Sequence, residues 1–185
     1  MDLQWIEVPG GICRFGDDAR PVAVPTLLWT RTPIACGHLP ADPVGLGPRF
    51  PVAEINHAEA VEIAGQLGGR LPRSAEWEWM AAGAARRRWP WGDAEWQPAL
   101  ANLRDSGHGR VTPVDTHPDG TTPEGALDVA GNVWEWTASK AMSSGFVIRG
   151  GSYASPPLYA RCTFLNTAPA ELRSRGIGLR VVRQR

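Results

Sequence analysis

Turn-forming residues constrain this chain more than any other feature of its sequence. Its 185 residues include 21 glycines and 17 prolines, so regular elements are interrupted often and long helices or strands are not expected. The nine tryptophans are nevertheless far too many for a disordered chain. The sequence therefore predicts a loop-rich globule whose irregular backbone is anchored by large aromatic side chains. Because buried loops need partners for their N–H and C=O groups, such a protein favours bound cations.

Charge and length limit the class of partner. Lys+Arg and Asp+Glu both total 19, and this balance argues against a protein that binds nucleic acid or an anionic membrane. The sequence contains no apolar run of about 18 residues, and its N-terminal segment lacks the order of a signal peptide. We therefore expect a cytoplasmic protein, with a single domain over residues 1–185.

The three cysteines leave two interpretations open. Cys13, Cys36 and Cys162 are far apart and show neither the spacing of a zinc site nor that of a disulfide framework. They are either buried free thiols or include one metal ligand or nucleophile. The local pair Cys36 and His38 is the one place where two ligand side chains could face one centre across a glycine.

Two helices and several short strands are predicted. Asn56 and Glu59 have the spacing of a capping box at the start of the first helix. A second helix starts near residues 72–74 and carries an apolar stripe, which comprises Trp77, Met80, Ala81 and Ala84, before three solvated arginines at 86–88. Strands are expected at residues 5–8, 22–29, 146–149 and 179–183.

Four motif segments identify a family. They are GGRLP with AEWEW (68–72 and 75–79), WPWGD (89–93), LDVAGNVWEW (127–136) and RGGSY (149–153), followed by Arg161-Cys162 and GLRVV (178–182). This series resembles the formylglycine-generating enzyme (sulfatase-modifying factor) family over residues 5–183. The resemblance implies an α+β fold, the family's loop-rich variant of the C-type-lectin-like architecture, with two main helices and short antiparallel strands.

The resemblance also implies structural calcium. The matching positions of a first site are Asp128, the carbonyls of Gly131 and Val133, and Glu135, which together would provide the hard oxygens that Ca²⁺ prefers. A second calcium site would use Asn102 and the Leu103 carbonyl. Asp105 or Ser106 and the His108 carbonyl would complete it. Both ions would be structural and would stabilise the loops that bind them.

The catalytic cysteine pair of the family has no counterpart here. Ser155 stands where the first cysteine is expected, the second is missing, and Cys162 matches a different family cysteine. A hydroxyl cannot replace a thiolate as a Cu(I) ligand, so formylglycine synthesis by the copper route is not expected. Histidines 38, 57, 108 and 117 also lack the spacing of an iron-binding facial triad, so Fe or Cu would need a ligand set that the sequence does not reveal.

The family pocket is expected to survive this loss. The resemblance places Trp134 and Ser152 beside the reaction centre, with Ser155 and Cys162 as further catalytic candidates. Arg149, Tyr153 and Arg161 would rim the cleft and grip a peptide or small-molecule ligand. Two functions follow. One is a metal- or oxygen-dependent oxidoreductase that modifies a peptide or natural product. The other is a non-catalytic module that binds a ligand or a protein, such as a toxin.

Overall fold

The fold was analysed in a computed structural model, which describes residues 1–42, 45–141 and 145–185. Its regular elements are short, as the glycine and proline content predicts. The helices are α1 (His57–Gln66) and α2 (Ser74–Ala82). The strands of the described residues are β1 (Trp5–Val8), β2 (Gly11–Phe15), β3 (Arg20–Val24), β4 (Leu27–Thr30), β5 (Trp134–Lys140), β6 (Phe146–Arg149), β7 (Leu165–Ala168), β8 (Ile177–Leu179) and β9 (Val182–Arg183).

Helix α1 begins at the predicted capping box. The Asn56 side chain accepts a hydrogen bond from the Glu59 amide at 3.0 Å, and the Glu59 carboxylate accepts one from the Asn56 amide at 2.9 Å. Both donors would otherwise be unpaired at the helix N-terminus. Gly68 adopts a φ of 75° directly after the helix, a conformation that only glycine takes readily.

Helix α2 starts where predicted but ends early. Trp77, Met80 and Ala81 are buried as expected. Gly83 adopts a φ of 62° and closes the helix at Ala82, so the predicted extension through Ala84 is wrong. The arginines at 86–88 therefore follow a turn, and the first two are partly buried rather than fully solvated.

Three sheets organise the strands, in the orders β1-β4-β9, β2-β3 and β7-β6-β5-β8. The predicted strand over residues 22–29 is two strands, because Pro25 interrupts it, and residues 179–183 likewise divide between β8 and β9. Strands β2, β5 and β7 were not predicted.

The four-stranded sheet has two distinct faces, because side chains alternate along each strand. Trp136 pairs with Ile148 and Ile148 with Asn166, and these side chains share the side on which α1 packs, the α1 face. Glu135 pairs with Arg149 and Val147 with Thr167 on the opposite side, the α2 face. None of the helices in the described residues is long and apolar enough to cross a membrane.

Candidate active site

A cleft of about 270 Å³ opens on the α1 face of the four-stranded sheet. Its walls come from β5, β6 and β7 and from the loops that follow β6 and precede β8. Trp134, Ser152 and Tyr153 all line it, so the structure brings together three of the residues predicted from the motifs. No charged side chain is among the described residues that line this cleft.

Ser152 and Ser155 form a closed hydroxyl pair at one end of the cleft. The Ser152 amide donates to Ser155 Oγ at 3.0 Å, the two Oγ atoms are 3.2 Å apart, and the Ser155 amide donates to the Ser152 carbonyl at 2.8 Å. Both residues are buried. Among the described residues neither hydroxyl is hydrogen-bonded to a histidine or a carboxylate. A nucleophilic serine needs such a base, so the pair positions the loop rather than activating either oxygen.

Two further aromatic rings pack around Trp134, which lines the cleft. The Trp134 ring centroid lies 6.4 Å from that of Tyr159 and 6.3 Å from that of Phe164, and the last two rings stack at 4.6 Å. Trp134 is 7% exposed whereas Tyr159 is 37% exposed, so the cluster runs from the core to the surface. Motif analysis identified Trp134 but gave no signal for Tyr159 or Phe164.

Arg149 does not line the cleft, and its predicted role in substrate binding is wrong. Its position opposite Glu135 in β6 turns it to the α2 face, away from Trp134. There the guanidinium is fully buried and forms an ion pair with Glu78. It also donates to main-chain carbonyl oxygens, which belong to Ser74, Cys162, Thr163 and Phe164. Arg149 thus joins α2, β6 and the loop before β7 and does not reach the cleft.

Arg161 and Cys162 are also absent from the residues that line the cleft. Arg161 is partly buried and its Nε has no hydrogen-bond partner in the described chain. Cys162 packs in the core with Trp77 and Met80, and burial raises the pKa of its thiol to about 12. A protonated thiol that is buried in the core and does not line the cleft is not available as a nucleophile at neutral pH, which contradicts its predicted catalytic role.

The remaining cysteines are buried as well. Burial raises the pKa of Cys13 to about 11, with a smaller contribution from the charge of Glu78. Cys36 belongs to the core beneath Trp134 and Trp136, while His38 accepts a hydrogen bond at Nδ1 from the Ala35 amide at 3.1 Å. No group of three His, Cys, Asp or Glu residues in the described ranges is arranged to hold a metal ion.

The turn predicted to bind the first calcium has a suitable backbone. Asp128, Gly131 and Asn132 all adopt positive φ angles, of 53°, 80° and 61°, which curl the chain tightly. The Asp128 carboxylate accepts the Asp115 amide at 2.7 Å, and burial raises its pKa to about 6. A buried carboxylate with so little compensation is the kind of group that a cation stabilises.

Glu135 fits the calcium prediction less well. Its two carboxylate oxygens accept hydrogen bonds from Arg180 Nε at 3.0 and 3.2 Å, and Oε2 accepts a further one from Trp77 Nε1 at 2.6 Å. Both the acid and the arginine are fully buried. The acceptor sites of Glu135 are therefore taken by a cation that belongs to the protein.

The atoms predicted to hold a second calcium are engaged in hydrogen bonds. The Leu103 carbonyl accepts the Ser106 amide at 3.0 Å, and Asn102 Oδ1 accepts the Ser106 hydroxyl at 2.8 Å. Asn102 Nδ2 also donates to Asn132 Oδ1 at 3.2 Å, which ties this loop to the first turn. His108 contacts the buried His117 ring edge-on at 5.7 Å. The loop is closed by amides and hydroxyls, and the carboxylate of Asp105 is exposed and takes no part in these hydrogen bonds.

A second cavity adjoins the cleft and was not expected from the sequence. It measures about 540 Å³ and shares Tyr153 with the cleft, so this side chain separates the two spaces. Arg110 and Arg175 line it, and Arg175 Nε donates to Glu54 at 2.7 Å. Glu54 adopts a φ of 57°, which is uncommon for a residue other than glycine. The charges missing from the cleft are thus found beyond Tyr153.

Comparison with protein families gives a match over most of the chain. The profile of the sulfatase-modifying factor enzyme 1-like domain matches residues 30–185. The hercynine oxygenase of Mycobacterium tuberculosis is 35% identical over 162 residues, which are 74% of this chain and 36% of that protein. The inactive Cα-formylglycine-generating enzyme 2 of Bos taurus is 35% identical over 146 residues, 69% of this chain and 47% of that protein. The chain therefore spans between about a third and a half of these relatives.

Solved structures share the whole fold. Treponema denticola variable protein 1 superposes with a TM-score of 0.81 at 18% identity, over 98% of this chain and 95% of that one. PvdO from Pseudomonas aeruginosa also gives a TM-score of 0.81, at 20% identity over 97% of this chain and 94% of that one. These likenesses confirm the loop-rich, C-type-lectin-like α+β fold predicted from the motifs.

Proposed function

Because the chain belongs to the sulfatase-modifying factor enzyme 1-like family, we propose that it is a metal- or oxygen-dependent oxidoreductase that modifies a peptide or a small molecule. The cleft beside Trp134 is its substrate site. The 35% identity to a hercynine oxygenase over 162 residues supports an oxygenase-type reaction. The activity of that longer protein is carried to this chain only as part of the proposal.

The observation that carries this proposal is the one cleft that the motif residues Trp134, Ser152 and Tyr153 line together, and that none of the three cysteines lines. Cys162 is in the core on the α2 side and Ser155 is bonded to Ser152, so the described residues offer no thiol pair for Cu(I). Sulfatase activation by the two-cysteine route does not fit these residues. No cluster of His, Cys, Asp or Glu in the described residues is arranged to hold copper or iron, and no step of the reaction is assigned to either ion.

What these residues supply is binding and exclusion of water. Trp134, Ile148 and Leu172 give the cleft apolar walls, while the hydroxyls of Ser152 and Tyr153 give it polar points for orienting a ligand. A substrate with a carboxylate would reach past Tyr153 toward Arg110 and Arg175 in the adjoining cavity. The substrate class is therefore a small molecule or an extended peptide segment with an apolar part and an anionic part.

One observation favours the alternative function of a non-catalytic binding module. The cleft has no charged lining residue and no described cluster of metal ligands, although its walls are well formed. A well-formed cleft is sufficient for a protein that binds a ligand without catalysing a reaction. The 35% identity to a relative named as inactive is consistent with this alternative.

Oxygen consumption separates the two functions. The protein is loaded anaerobically with Fe(II) or Cu(I), analysed for bound metal, and supplied with hercynine and ascorbate, the latter as a source of electrons. Uptake of oxygen that depends on protein, metal and probe, and that falls in Tyr153→Ala, supports the oxidoreductase. Tight binding of a ligand without oxygen uptake under either loading would establish the binding module instead.

Calcium completes the proposal as a structural ion at the first turn. Asp128 and the carbonyls of Gly131 and Val133 would hold it, and Glu135 would join only by releasing Arg180. We also propose the cytoplasm as the compartment, which three cysteines that form no disulfide in the described structure favour.

A further inference from the structure

A groove of about 840 Å³ lies on the α2 face of the four-stranded sheet, away from the cleft. The β2–β3 hairpin, the start of α2 and strands β6 and β7 enclose it. Neighbouring residues of one strand separate the two sites. Val147 lines the groove and Ile148 the cleft, just as Leu165 lines the groove and Asn166 the cleft. The two linings share only Thr167 among the described residues, so the groove is otherwise a site of its own.

The lining of the groove is largely apolar. Side chains from five elements contribute to it, and they are Phe15, Val22, Ala75, Val147 and Leu165. Leu165 is 40% exposed and contributes apolar surface to the groove. Edge strand β7, which carries Leu165, pairs only with β6 among the described strands. The groove thus leaves apolar surface open to solvent.

Three cations surround this apolar surface. Arg20, Arg73 and Lys140 line the groove, and no acidic residue does so in the described part of the chain. None of the three forms an ion pair in the described structure, whereas surface arginines such as Arg49, Arg88 and Arg175 each have a carboxylate partner. The Arg20 guanidinium lies 5.7 Å from the centroid of the Phe15 ring, at the edge of the apolar floor. The positive charge of the groove therefore has no internal counterpart.

A buried hydroxyl without a hydrogen-bond partner is a second observation that points to a ligand in the groove. Ser74 lines the groove, is only 2% exposed, and its Oγ has no hydrogen-bond partner in the described structure. Buried polar atoms are nearly always bonded, so an unpaired one needs an explanation. Ser74 is also the first residue of α2, where the helix dipole adds partial positive charge.

We propose that this groove binds a small amphiphilic carboxylate, an aliphatic chain that ends in a single anionic group. Its volume falls in the range of small-molecule sites, which combine mostly apolar walls with a few well-placed polar groups. The chain packs on Phe15, Val147 and Leu165, and the carboxylate meets the cations at the rim. Binding here is independent of the oxidoreductase proposal, since the groove lies mainly on the opposite face of the sheet and its lining shares only Thr167 with that of the cleft.

The first test compares ligands that share a chain or a charge. Decanoate, decan-1-ol and acetate are titrated into the intact protein by calorimetry, with the first two kept below their aggregation limits. We expect one decanoate to bind per chain, decan-1-ol to bind on the order of tenfold more weakly, and acetate not to bind measurably. Equal affinity for decanoate and decan-1-ol, or no binding of decanoate, would overturn the proposal.

The second test locates the site with matched variants. Leu165→Asp places a carboxylate in the groove, and Leu172→Asp places one in the cleft at a nearly equal exposure of 39%. Decanoate binding is lost in the first variant and retained in the second. The triple variant Arg20→Gln, Arg73→Gln and Lys140→Gln binds on the order of tenfold more weakly.

A charge control completes the design. The variant Arg14→Gln, Arg88→Gln and Arg185→Gln carries the same charge change outside the groove and binds decanoate as the unmodified protein does. Thermal unfolding checks that each variant is folded, which we expect because all the substituted side chains are exposed. Loss of binding in Leu172→Asp, or equal weakening in the two triple variants, contradicts the assignment.

Discussion

The two faces of the four-stranded sheet differ in the charged side chains that they carry. The α2 face buries two complete ion pairs, Arg149 with Glu78 and Glu135 with Arg180. The α1 face presents a cleft whose described lining carries no charge at all. Buried ions are tolerated only with a partner and further hydrogen bonds, and the α2 face provides both. The charged motif residues therefore stabilise the fold by joining its elements. The described lining of the cleft consists of apolar, aromatic and uncharged polar groups.

The largest effect is expected from breaking the pair on the α2 face. Arg149→Met leaves Glu78 charged, buried and without its partner, which should lower the free energy of unfolding by about 3–5 kcal/mol. Urea unfolding measures this loss. The double variant Arg149→Met with Glu78→Gln should be more stable than the single one, because the neutral side chain introduced by the second substitution can still accept the Gly16 amide. A double variant that is no more stable would show that the ion pair is not the source of the loss.

Calcium removal tests whether the turn before β5 needs an external cation in addition to Arg180. We expect one calcium per chain and a contribution of about 3 kcal/mol when free calcium is roughly a hundredfold above its Kd. The thermal unfolding midpoint should fall when a chelator is added, and Asp128→Asn should remove this response. The matched variant Asp105→Asn, in the loop closed by hydrogen bonds, should respond as the unmodified protein does. An unmodified protein that shows no response to the chelator would contradict the first site.

A smaller effect is expected on the cleft face. Ser155→Ala removes the hydroxyl that accepts the Ser152 amide, and one neutral hydrogen bond is worth about 1 kcal/mol. Chemical unfolding of this variant beside Arg149→Met compares the two faces directly. If Ser155→Ala lowered the free energy of unfolding as much as Arg149→Met does, the cleft would contribute to the stability of the fold as strongly as the buried ion pair.

The smallest effect concerns pH. Burial lowers the pKa of His57, which stacks on Phe146 with 3.4 Å between ring centroids. The folded state therefore binds fewer protons than the unfolded state. Its stability is complete above the ordinary histidine pKa and declines as the pH falls below it.

His57→Phe keeps the stacking and removes the titration, so its stability should depend less on pH between about 7 and 5 than that of the unmodified protein. Some slope remains, because burial lowers the pKa of His38 and His117 as well. An unchanged slope in unfolding experiments at several pH values would contradict the assignment to His57.

Local rules and motif resemblance predicted the fold well. The capping box of Asn56 and Glu59 depends on a few neighbouring residues, and it appears in the structure. Family motifs also brought Trp134, Ser152 and Tyr153 to one cleft, because the loops that carry them are closed by backbone bonds such as that from the Tyr153 amide to the Asn132 carbonyl at 3.0 Å.

The errors arose where a side chain's direction depends on strand register. Arg149 is close to Ser152 in sequence, yet its place in β6 turns it to the other face of the sheet. Nothing in the motif shows this, since β5 was not predicted and its pairing with β6 decides the direction. The partners Glu78 and Arg180 are likewise distant in sequence and could not be inferred from spacing.

The most direct test of the central claim, an oxidation at the α1-face cleft that uses no thiol, is oxygen consumption by a cysteine-free protein. The variant Cys13→Ala, Cys36→Ala and Cys162→Ala is loaded with metal and assayed with the probes beside the unmodified protein and Tyr153→Ala. We expect the rate of oxygen consumption to be retained in the cysteine-free protein and lost in Tyr153→Ala. Loss of oxygen consumption in a folded cysteine-free protein, with full activity in Tyr153→Ala, would contradict it.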